Sequence, residues 1–371
     1  RHSVRIAFYA PLKPPDHPVA SGDRGIARLL LKALRRAGHE PFVASRLRSF
    51  DGTGDPRRQA RIAALGEHLA ARLVERWRRQ PQTAPRLWFT YHLYYKAPDW
   101  LGPAVSAALG IPYVVAEASH AGKRAGGPWA LSHRAVERAI RRAAAVIGLN
   151  SADREGVLPL LASPDRWVAL PPFLDVSGYS APHRAAATAP RLIAVAMMRD
   201  GDKLASYRVL GRALSRLLDR PWSLEIVGDG PARIEVERAL APLGDRVTYA
   251  GALDAAGVDA RLAAADLFVW PAINEAFGLA LLEAQASGLP AVAGASGGVA
   301  DIVMPEVTGR VVPPGDADAF AAAVRDLLDD PVLRLRLGTA ARDKVLHQHG
   351  IDAAATRLTT VIAGLRRARA A

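Results

Sequence analysis

Cysteine is absent from this 371-residue sequence, and aromatic residues make up only 6% of it. The lack of cysteine excludes disulfides, a thiol nucleophile, iron–sulfur clusters and cysteine-ligated zinc, and it favours a reducing compartment. No apolar run approaches the roughly 18–20 residues that a membrane-spanning helix needs. We therefore expect a cytoplasmic protein, with peripheral contact at the inner face of the membrane as a further hypothesis.

The residues that are present describe a folded protein of about two domains. Half of them are apolar and 23% are charged, which is typical of a chain with a core. The net charge of +13 lies wholly in residues 1–180, which hold 27 basic and 14 acidic residues. A basic half indicates an anionic partner, such as membrane headgroups or a charged substrate, or it serves solubility alone. No nucleic-acid recognition motif is present, so no nucleic-acid partner is expected.

Short apolar runs alternate with amphipathic segments along the whole chain, which predicts stacked βα units on parallel sheets. Six strands are predicted on each side of a boundary rich in Pro, Ser and Ala, from Pro171-Pro172 to Pro190. The economical architecture is two doubly wound domains in tandem, residues 1–180 and 181–350, with a ligand in the cleft between them. Ligands of such sheets bind beyond the carboxyl ends of the strands.

Two glutamates, Glu275 and Glu283, stand where a predicted strand ending at Trp270 leads into a helix predicted from Phe277 or Gly278. Eight residues of helix span about 12 Å. Paired glycosidase carboxylates lie about 5–9.5 Å apart, so this spacing does not suit them. It suits two hydroxyl-bearing ends of one ligand, with an anion at the helix N-terminus between them. The implied ligand is sugar–diphosphate–ribose, and the alternative is an ordinary helix with two exposed glutamates.

The same segment resembles the retaining glycosyltransferases of family 4, which have the GT-B fold. Glu275 and Glu283 match the E-x7-E motif of that family. The similarity continues through residues 286–293, 297–303 and 308–316. The resemblance implies that Glu275 holds the hydroxyls of the donor sugar and that Glu283 holds the ribose. It also implies backbone contacts to the sugar and diphosphate from Phe277, Gly278 and Leu279.

Two cations at a strand end are suited to clamp the diphosphate. Arg199 and Lys203 follow the strand predicted over 192–196, where an Arg fork and a Lys point charge can hold phosphate oxygens. They would stabilise the charge that grows on the leaving diphosphate. They resemble the donor clamp of the family, although Leu204 replaces its usual glycine. Gly228 lies in a strand–turn that resembles the segment approaching the nucleotide in the family.

The first domain offers further candidates. A long loop after the first strand reaches Gly22 and Asp23, where the family has a Gly-rich loop facing the diphosphate and acceptor. The alternative for this loop is a mobile lid. His120 follows the strand predicted over 113–116, at the position where the family carries a histidine beside the donor sugar. His92 follows another strand and is a weaker candidate.

The resemblance implies a GT-B fold, with two Rossmann-like domains facing a central cleft. Residues 1–180 would bind the acceptor, residues 181–350 the nucleotide-sugar donor, and the helix in 351–371 would pack back on the first domain. The expected activity is transfer of a hexose, with retention, from a UDP- or GDP-linked sugar to a glycan, lipid-linked or small-molecule acceptor, with bacterial glycan biosynthesis as a plausible setting. No cofactor and no metal is expected. A nucleotide-sugar 2-epimerase of the same fold and a non-catalytic nucleotide-sugar binder remain the alternatives.

Overall fold

The computed structural model describes residues 3–184 and 188–370, with side chains as far as residue 367 in the last helix. Two compact units make up the chain. Unit 1 comprises Arg1–Pro171 and Ile351–Ala371, and unit 2 comprises Pro172–Gly350. The first boundary between the units therefore lies between Pro171 and Pro172, within the predicted boundary segment and earlier than the predicted domain end at residue 180.

Unit 1 is an α/β layer structure around one parallel sheet. Its strands are β1 (Arg5–Tyr9), β2 (Glu40–Ser45), β3 (Leu87–Leu93), β4 (Tyr113–Ala118), β5 (Ala145–Gly148) and β6 (Trp167–Ala169). Its first five helices are α1 (Gly22–Arg36), α2 (Pro56–Arg79), α3 (Gly102–Leu109), α4 (Ala130–Arg142) and α5 (Arg154–Val157).

Unit 2 repeats this plan. Its strands are β7 (Arg191–Val195), β8 (Ser223–Val227), β9 (Val247–Gly251), β10 (Leu267–Trp270), β11 (Ala291–Gly294) and β12 (Gly309–Val312). Its helices are α6 (Asp202–Leu214), α7 (Arg233–Leu240), α8 (Ala255–Ala264), α9 (Leu279–Ala286), α10 (Ala317–Asp329) and α11 (Pro331–Gln348). The last helix of the chain, α12 (Ile351–Ala370), belongs to unit 1.

The order of strands places a switch point in each sheet. The unit 1 sheet runs β2-β1-β3-β4-β5-β6 and the unit 2 sheet runs β12-β11-β10-β7-β8-β9. Every pairing within both sheets is parallel. The order reverses between β1 and β3 in unit 1, and between β7 and β10 in unit 2. Ligands of doubly wound sheets bind at such points, so we expect ligand contacts from the loops after these four strands. The predicted fold class, two Rossmann-like sheets with flanking helices, is confirmed.

The last helix, α12, packs against the first helix, α1. The side chains of Arg36 and Asp352 form an exposed ion pair there, with Nε of the arginine 2.6 Å from Oδ1 of the aspartate. Buried leucine and isoleucine side chains, Leu358 and Ile362, supply the apolar face of α12. No helix within the described residues is both long and apolar enough to cross a membrane.

A buried histidine ties together the two ends of unit 2. Nδ1 of His349 lies 2.5 Å from the carbonyl oxygen of Pro172, and its Nε2 lies 2.7 Å from Nζ of Lys344. The backbone N–H of Leu174 donates to the carbonyl of His349 at 2.8 Å. Burial, reinforced by the charge of Lys344, lowers the pKa of His349 to about 4.

This depressed pKa predicts a loss of stability in mild acid. An unfolded histidine takes up a proton near pH 6.5, whereas the native His349 resists it down to about pH 4. The unfolded state therefore gains protons first, and the chain loses up to about 3 kcal/mol between pH 6.5 and 4. We expect His349→Gln, which keeps an N–H donor, to flatten the pH dependence of the unfolding midpoint in that window. His347→Gln, at an exposed position two residues away, is the matched control, and an unchanged slope in His349→Gln would contradict the prediction.

Candidate functional site

The loops after β7 and β10 meet at the switch point of unit 2 through an ion pair. Lys203 lies in the first turn of α6, and its Nζ is 2.7 Å from Oε2 of Glu275. The glutamate side chain is 16% exposed and the lysine 33%. Trp270, the last residue of β10, donates its indole N–H to the same carboxylate oxygen at 3.3 Å, and the lysine ammonium lies 5.7 Å from its ring centroid. Two predicted site residues from separate loops are therefore in contact.

The loop that carries Glu275 is held in an unfavourable backbone conformation. Ala272 and Asn274 both have positive φ, 56° and 47°. Strain of this kind is kept only where the surroundings enforce it, and it is concentrated at functional sites. The glycine pair Gly297-Gly298 packs closely against this loop and holds it in place. A Cβ on Gly297 would lie 1.8 Å from the carbonyl oxygen of Glu275. The N–H of Gly298 donates to that same carbonyl at 3.0 Å.

The helix between the two glutamates starts later than the sequence predicted. It begins at Leu279, and Gly278 precedes it with φ of 67°, a value that suits glycine. The 12 Å estimate for the separation of Glu275 and Glu283 was therefore wrong in its basis, because Glu275 lies in the loop and only the last part of the interval is helical. No side chain of the described residues caps α9. Its first-turn N–H groups, beside Phe277 and Gly278, remain available to an acceptor.

Glu283 has a partner that the sequence did not indicate. The hydroxyl of Tyr179 donates to Oε1 of Glu283 at 2.8 Å. Burial raises the pKa of Glu283, and the hydrogen bond from Tyr179 opposes that rise. Tyr179 lies in the segment predicted as a linker, where a single tyrosine gave no signal. Glu283 and Glu275 thus occupy different environments, one paired with a phenol and the other with an ammonium.

Arg199 lies in the loop after β7, and Gly228 lies in the turn after the neighbouring strand β8. The guanidinium of Arg199 is exposed, and its Nη2 lies 2.9 Å from the sulfur of Met197. Gly228 has φ of 142°, and a Cβ there would lie 1.9 Å from the carbonyl oxygen of Ala196. The turn at Gly228 packs closely against the loop that leads to Arg199, and only glycine leaves room for this contact. Nucleotide contact at Gly228 stays a prediction.

The switch point of unit 1 brings Asp23 and His92 together. Asp23 lies in the first turn of α1, which Ser21 caps by accepting from the N–H of Arg24 at 3.2 Å. Oδ1 of Asp23 lies 2.5 Å from Nδ1 of His92, near the end of β3. His92 has φ of 65°, and its ring stacks on Tyr94 with centroids 4.8 Å apart. A carboxylate on Nδ1 orients the imidazole and leaves Nε2 for another partner.

Polar groups that the sequence analysis did not select surround this pair. Burial raises the pKa of Asp153, while Ser119 and the charge of His92 oppose the rise. Burial and the charge of Asp23 raise the pKa of Tyr94. Glu117, whose φ is 61°, accepts from the backbone N–H of Asn150 at 2.9 Å. The only available signal was their position along the chain, with Tyr94 directly after β3, Glu117 near the end of β4 and Asp153 after β5.

Gly22 and His120 differ in their surroundings. Gly22 is exposed at the start of α1, and a Cβ there would meet no atom within 4 Å. His120 follows β4, and its Nε2 is buried 4.0 Å from Oε1 of Glu137. Burial, then the neighbouring His133, lowers the pKa of His120, and Glu137 opposes this. Contact of Gly22 or His120 with a donor sugar stays a prediction.

Known structures share the architecture of this chain. Sucrose-phosphate synthase from Thermosynechococcus elongatus aligns over 98% of this chain and 100% of its own, at 23% identity and a TM-score of 0.74. A glycosyltransferase from Rickettsia africae aligns over 98% and 99%, at 15% identity and a TM-score of 0.74. Anabaena HepE in complex with UDP aligns over 97% and 100%, at 15% identity and a TM-score of 0.74. The fold is that of the GT-B glycosyltransferases.

A family model matches part of the sequence of unit 2. Residues 189–330 match the family described as glycosyl transferases group 1, which confirms the resemblance on the residues that carry it. This stretch includes Arg199, Lys203, Glu275 and Glu283.

Curated relatives match parts of the chain. A GDP-mannose-dependent phosphatidylinositol monomannoside mannosyltransferase from Mycolicibacterium smegmatis is 36% identical over 174 residues, 44% of this chain and 46% of that protein. D-inositol 3-phosphate glycosyltransferase from Kineococcus radiotolerans is 32% identical over 237 residues, 55% of this chain and 54% of that protein. The chain therefore spans about half the length of the curated relatives that it matches.

Proposed function

We propose that this protein transfers a hexose from a nucleotide-diphosphate sugar to an acceptor hydroxyl, with retention at the anomeric carbon. Unit 2 would bind the donor and unit 1 the acceptor. Arg199, Lys203 and the N–H groups at the start of α9 would stabilise the leaving diphosphate. Glu275 and His120 would orient the sugar, and Glu283 the ribose. Fixed cations would supply the positive charge, so the transfer would need no divalent metal at the diphosphate and no cofactor.

The ion pair between Lys203 and Glu275 is the observation that carries this proposal. It lies at the switch point of the unit that matches the glycosyl transferases group 1 family. A half-buried lysine held by a carboxylate is fixed in place before a ligand arrives, which limits the reorganisation that charge stabilisation costs. Relatives named for GDP-mannose and structures named for UDP support a UDP- or GDP-linked donor.

A lipid-linked or other anionic acceptor would suit unit 1. The seven arginines of α2 are all exposed, whereas its acidic residues are only Glu67 and Glu75. Relatives that act on phosphatidylinositol mannosides support an acceptor of this kind. We propose that the α2 face contacts anionic headgroups at a membrane surface, which salt would weaken. The epimerase and the non-catalytic binder have no observation in their favour.

A panel of UDP-, GDP- and ADP-sugars tests donor binding directly. Each would be added to the full chain in the presence of a chelator, and the unfolding midpoint followed by differential scanning fluorimetry. A ligand that binds the native state alone at 100 times its Kd adds about 2.7 kcal/mol of stability. We expect one donor class to raise the midpoint and its bare sugar to leave it unchanged. No shift with any donor, with or without acceptor present, would contradict the proposal.

Gly22→Ala probes the predicted backbone contact without disturbing the fold. A Cβ at this position meets no protein atom within 4 Å, so the unfolding midpoint should stay within about 1 °C of the wild type. If the donor or acceptor approaches the backbone here, the added methyl group should raise KM by about 10-fold. Gly122→Ala is the matched control, because a Cβ on Gly122 would also meet no atom within 4 Å. Gly38→Ala does not serve as a control, because Gly38 has φ of 87°. An unchanged KM in Gly22→Ala would remove Gly22 from the site.

A further inference from the structure

Three ligand atoms converge between α4 and the loop after β4, in unit 1. His133 and Glu137 lie one turn apart on α4, with Nε2 of the histidine 3.4 Å from Oε2 of the glutamate. His120 approaches from the loop, and its ring centroid lies 5.0 Å from that of His133. One ligand atom from each residue lies within 4.8 Å of the others, and this is the only such group of three found within residues 3–184 and 188–367.

Ordinary packing leaves part of this cluster unexplained. Nε2 of His120 is buried and has no hydrogen-bond partner. A buried nitrogen without a partner costs free energy unless something else satisfies it. The backbone of His120 is held in place, since a Cβ on Gly156 would come within 3.0 Å of its carbonyl oxygen. The unsatisfied nitrogen therefore points at Glu137 from a constrained position.

We infer that His120, His133 and Glu137 bind a first-row transition cation of the Zn²⁺ class. Two imidazoles and one carboxylate form a donor set that suits zinc, whereas Mg²⁺ and Ca²⁺ prefer oxygen ligands. Ligands about 2.0–2.1 Å from a tetrahedral ion lie roughly 3.4 Å from one another. In the structure Nε2 of His133 lies 3.4 Å from Oε2 of Glu137, Nε2 of His120 lies 4.0 Å from Oε1, and one ligand atom of each residue lies within 4.8 Å of the others. A small movement of these side chains would therefore bring the three ligand atoms to the spacing of a tetrahedral site.

The site would leave a fourth position to water and would fix the orientation of His120. With Nε2 on the ion, Nδ1 of His120 carries the proton and can donate a hydrogen bond. Arg141 competes with a cation for Glu137, since its Nη2 lies 3.5 Å from Oε1. Its side chain is 59% exposed, so it can move away when a cation binds.

Zinc binding to the full chain tests this inference without any donor. The protein would be stripped with a chelator, freed of it and titrated with Zn²⁺ against a chromophoric competitor. We expect one equivalent in the wild type and an affinity at least about 100-fold lower in Glu137→Gln and His120→Gln, as even outer-shell changes cost 10- to 100-fold. Far-UV circular dichroism would establish that both variants fold. Co²⁺ should give the visible absorption of a tetrahedral site in the wild type alone.

Two further variants test whether the effect is specific to this cluster. Arg141→Gln should tighten zinc binding about two- to fivefold, because it removes one exposed ion pair from Glu137. His347→Gln, at an exposed histidine of unit 2, should leave the affinity unchanged. Equal affinity in the wild type, Glu137→Gln and His120→Gln would overturn the inference. So would loss of the bound equivalent in His347→Gln, or no binding by the folded wild type. Zinc binding is measured without any donor, and donor binding is measured with a chelator present, so either proposal can fail alone.

Discussion

Replacing Lys203 with glutamine should lower kcat/KM for sugar transfer about 10²- to 10³-fold, with most of the loss in kcat. Removal of one fixed group that stabilises developing charge has this effect in other enzymes. Glutamine keeps a hydrogen-bond donor, is one bond shorter and removes the charge. Steady-state release of the nucleoside diphosphate measures the change. A loss confined to KM would place Lys203 in ground-state binding instead.

The partner of Lys203 provides a second readout. Glu275→Gln should also lower kcat, and the double variant should be far less impaired than the product of the two single effects. Residues in direct contact couple in this way, and Nζ of Lys203 lies 2.7 Å from Oε2 of Glu275. The exposed pair of Arg216 and Asp318, 2.6 Å apart in the same unit, is the matched control. Its double variant should retain wild-type activity, and strict additivity at Lys203 and Glu275 would contradict the shared role.

Replacing Glu283 with glutamine should weaken donor binding about 10- to 100-fold and stabilise the protein at neutral pH. The affinity loss follows from removing a charged acceptor of ribose hydroxyls, since such bonds contribute about 1.5–3 kcal/mol. The stability gain follows from the raised pKa of Glu283. The native state binds this proton more readily than the unfolded state, so stability falls as the pH rises from about 4 through the raised pKa. Glutamine avoids that cost.

The test follows the unfolding midpoint and the donor Kd of the same variant. We expect Glu283→Gln to exceed the wild-type midpoint at pH 7, with the difference shrinking towards pH 4. Tyr179→Phe is the matched variant of opposite sign, because it removes the hydroxyl that donates to the carboxylate at 2.8 Å. It should destabilise the protein by about 1–3 kcal/mol at pH 7. Lower stability of Glu283→Gln at pH 7 would show that the buried carboxylate is fully compensated.

The sequence was sufficient for the architecture because buried parallel strands are continuous apolar runs. It was also sufficient to identify the loops after β7 and β10, since Arg199 follows the end of β7 by four residues and Glu275 follows the end of β10 by five. The pairing of Lys203 with Glu275 depends on β7 lying beside β10, and that order is not visible in any local pattern. The same limit applies to Asp23 and His92, which meet only because β1 lies beside β3.

Two other features lay outside what local patterns predict. The late start of α9 follows from the packing of Gly297-Gly298 against the loop before it, a contact between separate segments. The hydroxyl of Tyr179 reaches Glu283 across 104 residues of sequence. By contrast, His133 and Glu137 have helical spacing in the sequence. Their significance appears only when the loop after β4 brings His120 to the same face of α4.

The most direct test of the central claim follows both products of the reaction. The full chain would be incubated with the donor that raises its unfolding midpoint and with glycan, lipid-linked and small-molecule acceptors. Chromatography would follow release of the nucleoside diphosphate, and proton NMR would report the anomeric configuration of the product. We expect acceptor-dependent release and a linkage with the configuration of the donor. An inverted linkage, or conversion of the donor to its 2-epimer without any acceptor, would contradict the proposed function.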